Sequence, residues 1–460
     1  MIAREGRRQS SASGGLVLTA GLVFVAAYVA LLLYLMQHST WDLWGAMFVG
    51  PVLFLTTLPA LAHQAEREGD ARVFRFLVAA LVVKMLFSLW RFYHGFYVVD
   101  LADARAYDRI GTEIATRFLA GDFDSGLGGF LDSNWIRLFT GVTYTVIRPS
   151  VVAGYLIYAW LAFWGTFLFY RAFVLAVPEG DRRSYARWLF FMPSILFWPS
   201  SIGKESWMMF GLGIGAFGAA KLLRGRILPG AVVSAIGIGL AALVRAPIAV
   251  LLGLGTVVGG VIRRPSRRLG QLAPMARLAS TVLLVIGTVV LLGTMRSYFE
   301  RTGFGTDLDT LVSESLRVTG TGGSEFTPAS TNSPQGILMA SITVLFRPFP
   351  FEANTMEAVV TSIEATVLLG FSLIRFRSFF AAFRRLREVP YAAVALVYVA
   401  GSIFGLASIA NFGILARQRT LLYPMYLVLL CFLPGREARR EREGTRRPGA
   451  DTTAVAGVTS

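Results

Sequence analysis

The chain has 460 residues, 55% of them hydrophobic, with 44 Lys and Arg against 28 Asp and Glu for a formal net charge of +16; its mean hydropathy is +0.59. Apolar runs of about 20 residues recur along it, which excludes a disordered chain or an ordinary soluble multidomain protein and implies a polytopic membrane protein. The single cysteine, Cys431, and three histidines without ligand spacing, His38, His63 and His94, exclude a disulfide framework and a zinc site.

In chain order, apolar spans are predicted over 15–36, 43–62, 76–93, 150–171, 188–200, 206–222, 229–244, 248–262, 277–295, 356–374, 390–408 and 420–434. The expected fold is therefore all-α, with about twelve transmembrane helices. The first run follows a basic start, MIAREGRRQSSASGG, but is too long for a cleaved signal peptide and reads as a retained span. With the N-terminus inside, the inner segments hold most of the Lys and Arg and the outer ones hold more acids than bases, as positive-inside orientation requires. Both termini are then cytoplasmic in a multi-pass cell-membrane protein. The basic loops RRPSRR and RFRSFFAAFRRLRE and the tail REARREREGTRRP explain the net charge as topology with anionic-lipid contact, and nucleic acid is not needed.

This orientation divides the chain into 1–93 with three spans, 94–149 as an extracytoplasmic catalytic loop and 150–295 as a central bundle. Residues 296–355 form a second outer loop, 356–434 the last three spans, and 435–460 a basic disordered tail. The loop 94–149 holds two amphipathic helices expected to lie along the outer interface, joined by the turn AGDFDSGLGG. In the first helix Tyr107, Ile110, Ile114 and Phe118 form an apolar stripe, and Asp103 lies one turn before Tyr107 on that stripe. Asp108 falls about 140° away, among Arg105, Arg109 and Thr112, where water is the expected neighbour. Asp103 is thus the carboxylate out of place, and with Asp100 it is the catalytic candidate; the competing account is that both acids merely cap the helix. In the second outer loop, RVTGTGGSEFTPASTNSPQG reads as mobile, and GILMASITVLF ahead of RPFPF is too short to cross, so it is expected to dip in and return.

Cations recur beside span-breaking prolines on the outward side: Lys204 with Glu205 in PSSIGKES, Arg245 in LVRAP, Arg347 in FRPFPFE, and Arg417 and Arg419 in ILARQRTLLYP. Each alone could snorkel to headgroups. Together they suit a phosphate or pyrophosphate group in an outer cavity, because guanidinium forks match its oxygens. Glu205 is either the partner that holds Lys204 or a second acid. Lys84 and Glu364 lie within spans, where charges are usually paired, and are expected to partner each other. No P-loop, dinucleotide glycine turn, HExxH or GxSxG stands in a fitting context, so an outward-facing enzyme here would receive activated substrate already attached to a lipid.

The segment ADARAYDRIG, with Asp103 and Tyr107, resembles the D-[EA]-x-x-Y signature of the C-type (GT-C) membrane glycosyltransferases. PSILFWPSSIGKESWMM is similar to the P-S-x-x-x-W-x-S-x-x-x-K-E stretch of their bacterial members, with Lys204 and Glu205 at K-E, and Arg245 matches the arginine after the seventh span. The resemblance covers about residues 76 to 265 and departs in having three spans before the loop and Ala104 where many members carry a second acid. It implies a GT-C-like fold and an inverting transferase. The sugar would pass from a polyprenyl-phosphate-linked donor to a glycan, lipid or protein acceptor, with Asp103 or Asp100 as general base. Tyr107, Lys204, Glu205, Arg245, Arg347, Arg417 and Arg419 would bind substrate. No cofactor is required by it, and a divalent cation stays open. The carboxyl end, ILARQRTLLYP, resembles instead polysaccharide polymerases and ligases that act on polyprenyl-pyrophosphate glycans, which keeps that activity as the alternative. A lipid-glycan flippase or transporter is the non-enzyme alternative; it would line a path through both leaflets, whereas these cations cluster on one side.

Overall fold

The computed structural model describes residues 25–98, 102–263, 325–328, 333–353 and 355–433, with a few isolated positions besides. The span predicted at 277–295, nearly all of it, most of the Gly/Ser/Thr-rich segment, the tail and Asp100 lie outside the described residues. Among the described residues the structure is helical, with only the isolated bridges Gly180–Phe432 and Glu325–Asn411. Seven helices among the described residues are long and apolar enough to cross a membrane, so the chain is an α-helical membrane protein. The chain divides into two compact units, residues 1–127 with 137–157, and residues 128–136 with 158–460.

The first unit contains α1 (Gly21–His38), α2 (Trp41–Glu68), α3 (Ala71–Tyr93, continued by a π turn over His94–Val98) and α4 (Ala102–Leu119). It also takes most of α5 (Ser133–Ile147) and the start of α6 (Val151–Ala176). α2 stops at Gly69, whose φ of 66° supplies the left-handed C-cap, and Asp70 then caps α3 through Arg72 N–H at 2.8 Å. That chemistry gives a two-residue turn between the two helices. Their packed face, Ala46, Val49, Leu53, Met85 and Phe92, closes on Val152, Ala153 and Leu156. Asp42 fixes the start of α6, its carboxylate accepting Val151 N–H at 2.9 Å and its carbonyl accepting Ser150 Oγ–H at 3.0 Å.

The second unit contains the rest of α6, then α7 (Arg182–Phe191), α8 (Pro193–Phe197), a 3-10 turn (Trp198–Ser200), α9 (Lys204–Leu223) and α10 (Ile227–Ile262). After the undescribed stretch come α11 (Pro334–Phe346), α12 (Met356–Ile374), α13 (Phe376–Arg384), α14 (Pro390–Leu406), α15 (Phe412–Arg419) and α16 (Tyr423–Leu430). The span predicted over 188–200 is not one helix. Met192, preceding Pro193, is extended at φ −65° and ψ 123°, and Pro199 leaves helical geometry at ψ 48°, because proline restrains its predecessor and removes an N–H. The span predicted over 420–434 is likewise shorter, with eight helical residues in α16, all of them buried.

α10 covers both spans predicted at 229–244 and 248–262, interrupted at Arg245 (φ −142°, ψ 82°). Straight, its 36 residues would reach about 54 Å. It is folded instead. A Cβ at Gly215 would meet both Ile238 N, at 3.4 Å, and Leu252 Cδ2, at 2.8 Å. Gly218 lies against Ser234 and Gly211 against Ala241 on the first half, while Leu223 lies against Gly259 on the second. The pairing with α9 is antiparallel before Arg245 and parallel after it, so the chain reverses there. α14 then packs antiparallel on the second half, with Pro390 beside Gly259, Val394 beside Gly255 and Gly401 beside Leu251. Small residues permit this close approach of backbones, the usual device where lipid removes the hydrophobic drive between helices.

Gly218→Val would drive a side chain into the Ser234 backbone and should cost about 1–3 kcal/mol by overpacking. Gly239→Ala, where nothing lies within 4 Å, should be neutral. Thermal unfolding of the two variants in detergent checks this; equal melting temperatures would contradict the close-packed seam.

Candidate functional site

The cations gather where α9 begins. Gly203, extended at φ 170°, precedes the helix without a side-chain cap, and Glu205 stands in the first turn, where its charge suits the positive end of the helix dipole. Lys204 and Glu205 are the first two helical residues. Glu205 is buried, and its Oε1 accepts from Arg245 Nη2 at 2.9 Å and from Arg417 Nε at 2.8 Å. Burying one carboxylate is costly unless it is paired, and two guanidiniums from different helices meet that need. Arg245 stands at the fold of α10 because Pro247 breaks the helical ladder two residues on. In an unbroken helix Leu243 C=O would accept from residue 247, whose nitrogen here carries no hydrogen. Asp132 N–H takes that carbonyl at 2.7 Å.

Asp132 is held in the left-handed region at φ 59°, an uncommon conformation that Asp tolerates better than most residues. Its carboxylate accepts Lys204 Nζ at 2.7 Å and Ser133 Oγ at 3.3 Å. Burial works to raise the Asp132 carboxyl, but the Lys204 ammonium and the Ser133 hydrogen bonds outweigh it and hold it below the ordinary range. Trp135 closes one side, edge-on to Trp207 at 5.3 Å, and Trp207 Nε1 donates to Leu240 C=O at 2.8 Å. The result is three cations, Lys204, Arg245 and Arg417, against two carboxylates. Arg245 Nη1 is buried with no hydrogen-bond partner. Such a set can take an anion with several oxygens. Of the two roles the sequence left open for Glu205, partner of Lys204 or second acid, the first is not seen: Lys204 pairs with Asp132, which the sequence did not single out, and Glu205 pairs with two arginines.

Arg347 and Arg419 are engaged elsewhere. Arg417 and Arg419 are two residues apart on α15, so they leave opposite faces of the helix. Arg419 is fully buried and donates through Nη1 to Arg347 C=O. Arg347 forms a fork with Glu352, Nε–Oε1 3.0 Å, and stacks over Phe326 and Phe412 at 5.1 and 5.0 Å. Glu364 is held within the second unit, Oε2 accepting Ser194 N–H at 2.5 Å; Lys84, the partner expected from the sequence, is buried in the first unit.

In the first unit the helix α4 is turned differently from its apolar pattern. Its buried side runs through Ala104, Tyr107, Gly111, Ile114 and Ala115, where α5 approaches closely at Thr140 and Gly141. The small residues set that face, which shifts it away from Asp103 and toward Asp108. Asp103, in the first turn, is exposed, whereas Asp108 is half-buried and accepts the Tyr144 hydroxyl at 2.6 Å. Burial pushes the Asp108 carboxyl above its ordinary range, against the Tyr144 bond, and the charge of Asp42 adds to the rise. Tyr107 is buried as expected. Among the described residues no group of three His, Cys, Asp or Glu side chains is placed to hold a metal ion.

Compared with known proteins, the chain matches no family model, no curated sequence and no solved structure at a significant level.

The depressed Asp132 carboxyl links the site to pH. Its contribution to stability is present above the unfolded value of 3.8 and is lost as pH falls through the lower folded value. Asp132→Asn keeps a residue suited to positive φ. It should melt below the wild type at pH 7, and the gap should close as the pH drops below the unfolded value. A gap of constant size across that range would contradict the Lys204–Asp132 linkage.

Proposed function

We propose that this chain is an integral membrane glycosyltransferase that moves a sugar from a polyprenyl-phosphate donor to a glycan, lipid or protein acceptor at the outer face of the cell membrane. The observation that carries this reading is the gathering of Lys204, Arg245 and Arg417 at the uncapped start of α9, with cations in excess of carboxylates and one guanidinium nitrogen left unfilled. A phosphate that departs with the bonding electron pair gains charge during the reaction, and donors fixed beforehand stabilise that gain. The wider topology belongs to the same reading: about twelve crossings with both termini inside, α10 counting as two because it folds at Arg245, and α4 and α5 lying along the outer interface.

In this mechanism the acceptor hydroxyl attacks the anomeric carbon as the bond from that carbon to the phosphate oxygen breaks. The configuration inverts, and the hydroxyl proton passes to a carboxylate. Asp103 is the candidate base, supported by its place in the D-[EA]-x-x-Y resemblance and by an exposed position at the start of α4. Base assistance contributes about 10² to 10⁴ in rate, and loss of one preorganised cation about 10² to 10³. Arg347 and Arg419 serve to hold α15 in place rather than to touch the donor, since their contacts lie within the protein.

One experiment tests donor and acceptor together. Mass spectrometry of a strain lacking the protein should find polyprenyl-phosphate-linked sugar accumulating and one sugar missing from the envelope; an unchanged lipid pool and glycan profile would sink the reading. Reintroduced Asp103→Asn should fail to restore the sugar, while Arg245→Ala and Arg417→Ala should restore it poorly through weaker donor binding. The polymerase or ligase reading draws on the ion pairs that Arg245 and Arg417 make with the buried Glu205, whereas Asp103 is exposed. It predicts that Asp103→Asn complements fully and that undecorated polyprenyl-pyrophosphate glycan accumulates instead.

A further inference from the structure

α9 carries the Glu205 cluster at one end and Leu223 and Arg224 at the other, and its 20 residues separate them by about 30 Å, the thickness of a bilayer core. At that second end lies a cavity of about 440 Å³, walled by the close of α6, the close of α9, Arg263 after α10, and the segment leading into α14. We infer that this cavity is a phosphate-binding site that seats the headgroup of an anionic phospholipid. The inference does not depend on the transferase reading, because it concerns the opposite end of the second unit.

The charges in the cavity are not all committed. Arg385 is held by Glu179 and, at 2.7 Å, by Glu388, which together raise its already high affinity for a proton. Arg263 donates one nitrogen to Leu222 C=O at 3.4 Å, capping the end of α9. Arg224 and Arg387 are exposed and make no ion pair among the described residues. Four guanidiniums thus face two carboxylates, and both carboxylates are occupied by one of the four. The start of α14 adds the positive end of a 17-residue helix, where Pro390 occupies the first position and no side chain caps it.

The rest of the wall is mostly apolar: Ala176, Pro178, Leu223, Val389 and Pro390, with Tyr391 beside them. A free phosphate has no use for such a wall, whereas the glycerol and first methylenes of a lipid do. Basic pockets between transmembrane helices are a recurrent headgroup site, and the predicted topology puts this end on the inner leaflet, where anionic lipids concentrate. The arginines at helix ends could be thought to do no more than neutralise the terminal carbonyls of α6 and α9. Arg263 does so through Leu222, yet Arg224 and Arg387 have no such contact.

The test uses the full-length protein in detergent micelles and native mass spectrometry with phosphatidylglycerol or phosphatidylcholine. Phosphatidylglycerol should be retained in preference, and Arg224→Gln and Arg387→Gln should each lower its occupancy about tenfold, the loss expected for one charged hydrogen bond. Arg226→Gln, on the same turn but outside the cavity, should change nothing, and unaltered melting temperatures in all three confirm folding. Displacement of the lipid by inorganic phosphate would keep the phosphate chemistry and assign it to a free anion. Equal retention of the two lipids, or retention insensitive to both cavity substitutions, would overturn the inference.

Discussion

Glu205 Oε1 accepts hydrogen bonds from Arg245 and Arg417, and through that one oxygen three elements are tied: the start of α9, the fold of α10 and the end of α15. Each arginine would be expensive to bury alone, and so would the carboxylate. Together they are tolerated because the geometry pairs them, and removing one partner leaves a charge stranded in a low-dielectric setting. The position of everything around them follows from this. Arg245 is available only because Pro247 interrupts α10, and the carbonyl freed by that interruption is what anchors Asp132, which in turn holds Lys204.

The second unit thus has two charged ends joined by glycine-lined helices. At one end the charges are neutralised closely and leave a small cationic surplus. At the other, arginines stand around an open cavity with an apolar wall. Close backbone approach between α9, α10 and α14 packs the intervening core tightly.

Much of this could be read from the chain. Long apolar runs located α2, α3, α6, α9 and α12, with ends off by up to about six residues, since burial in lipid leaves a strong compositional mark. The reversal at Arg245 was visible as LVRAP between two runs, and the cluster of Lys204, Glu205, Arg245 and Arg417 as charges beside prolines. The partners were not legible. Asp132 was not singled out, because a positive φ and a hydrogen bond to a distant carbonyl leave no local signature. Asp108 was assigned to water because its neighbours in sequence are polar, whereas the face of α4 is chosen by Ala104, Gly111 and Ala115, which allow close packing without being strongly apolar. Prolines at 193 and 199 argued against a continuous span over 188–200, a signal outweighed by the apolar run around them. Arg419 shared its motif with Arg417, and only the helical turn between them sent it to a different face.

The central claim is that Glu205 and Arg417 are energetically one unit. A double-mutant cycle on thermal stability, with Glu205→Gln, Arg417→Ala and both together, measures this directly. The account predicts strong coupling, about 1–3 kcal/mol, with the double variant more stable than the sum of the single losses implies. Additive losses would contradict it.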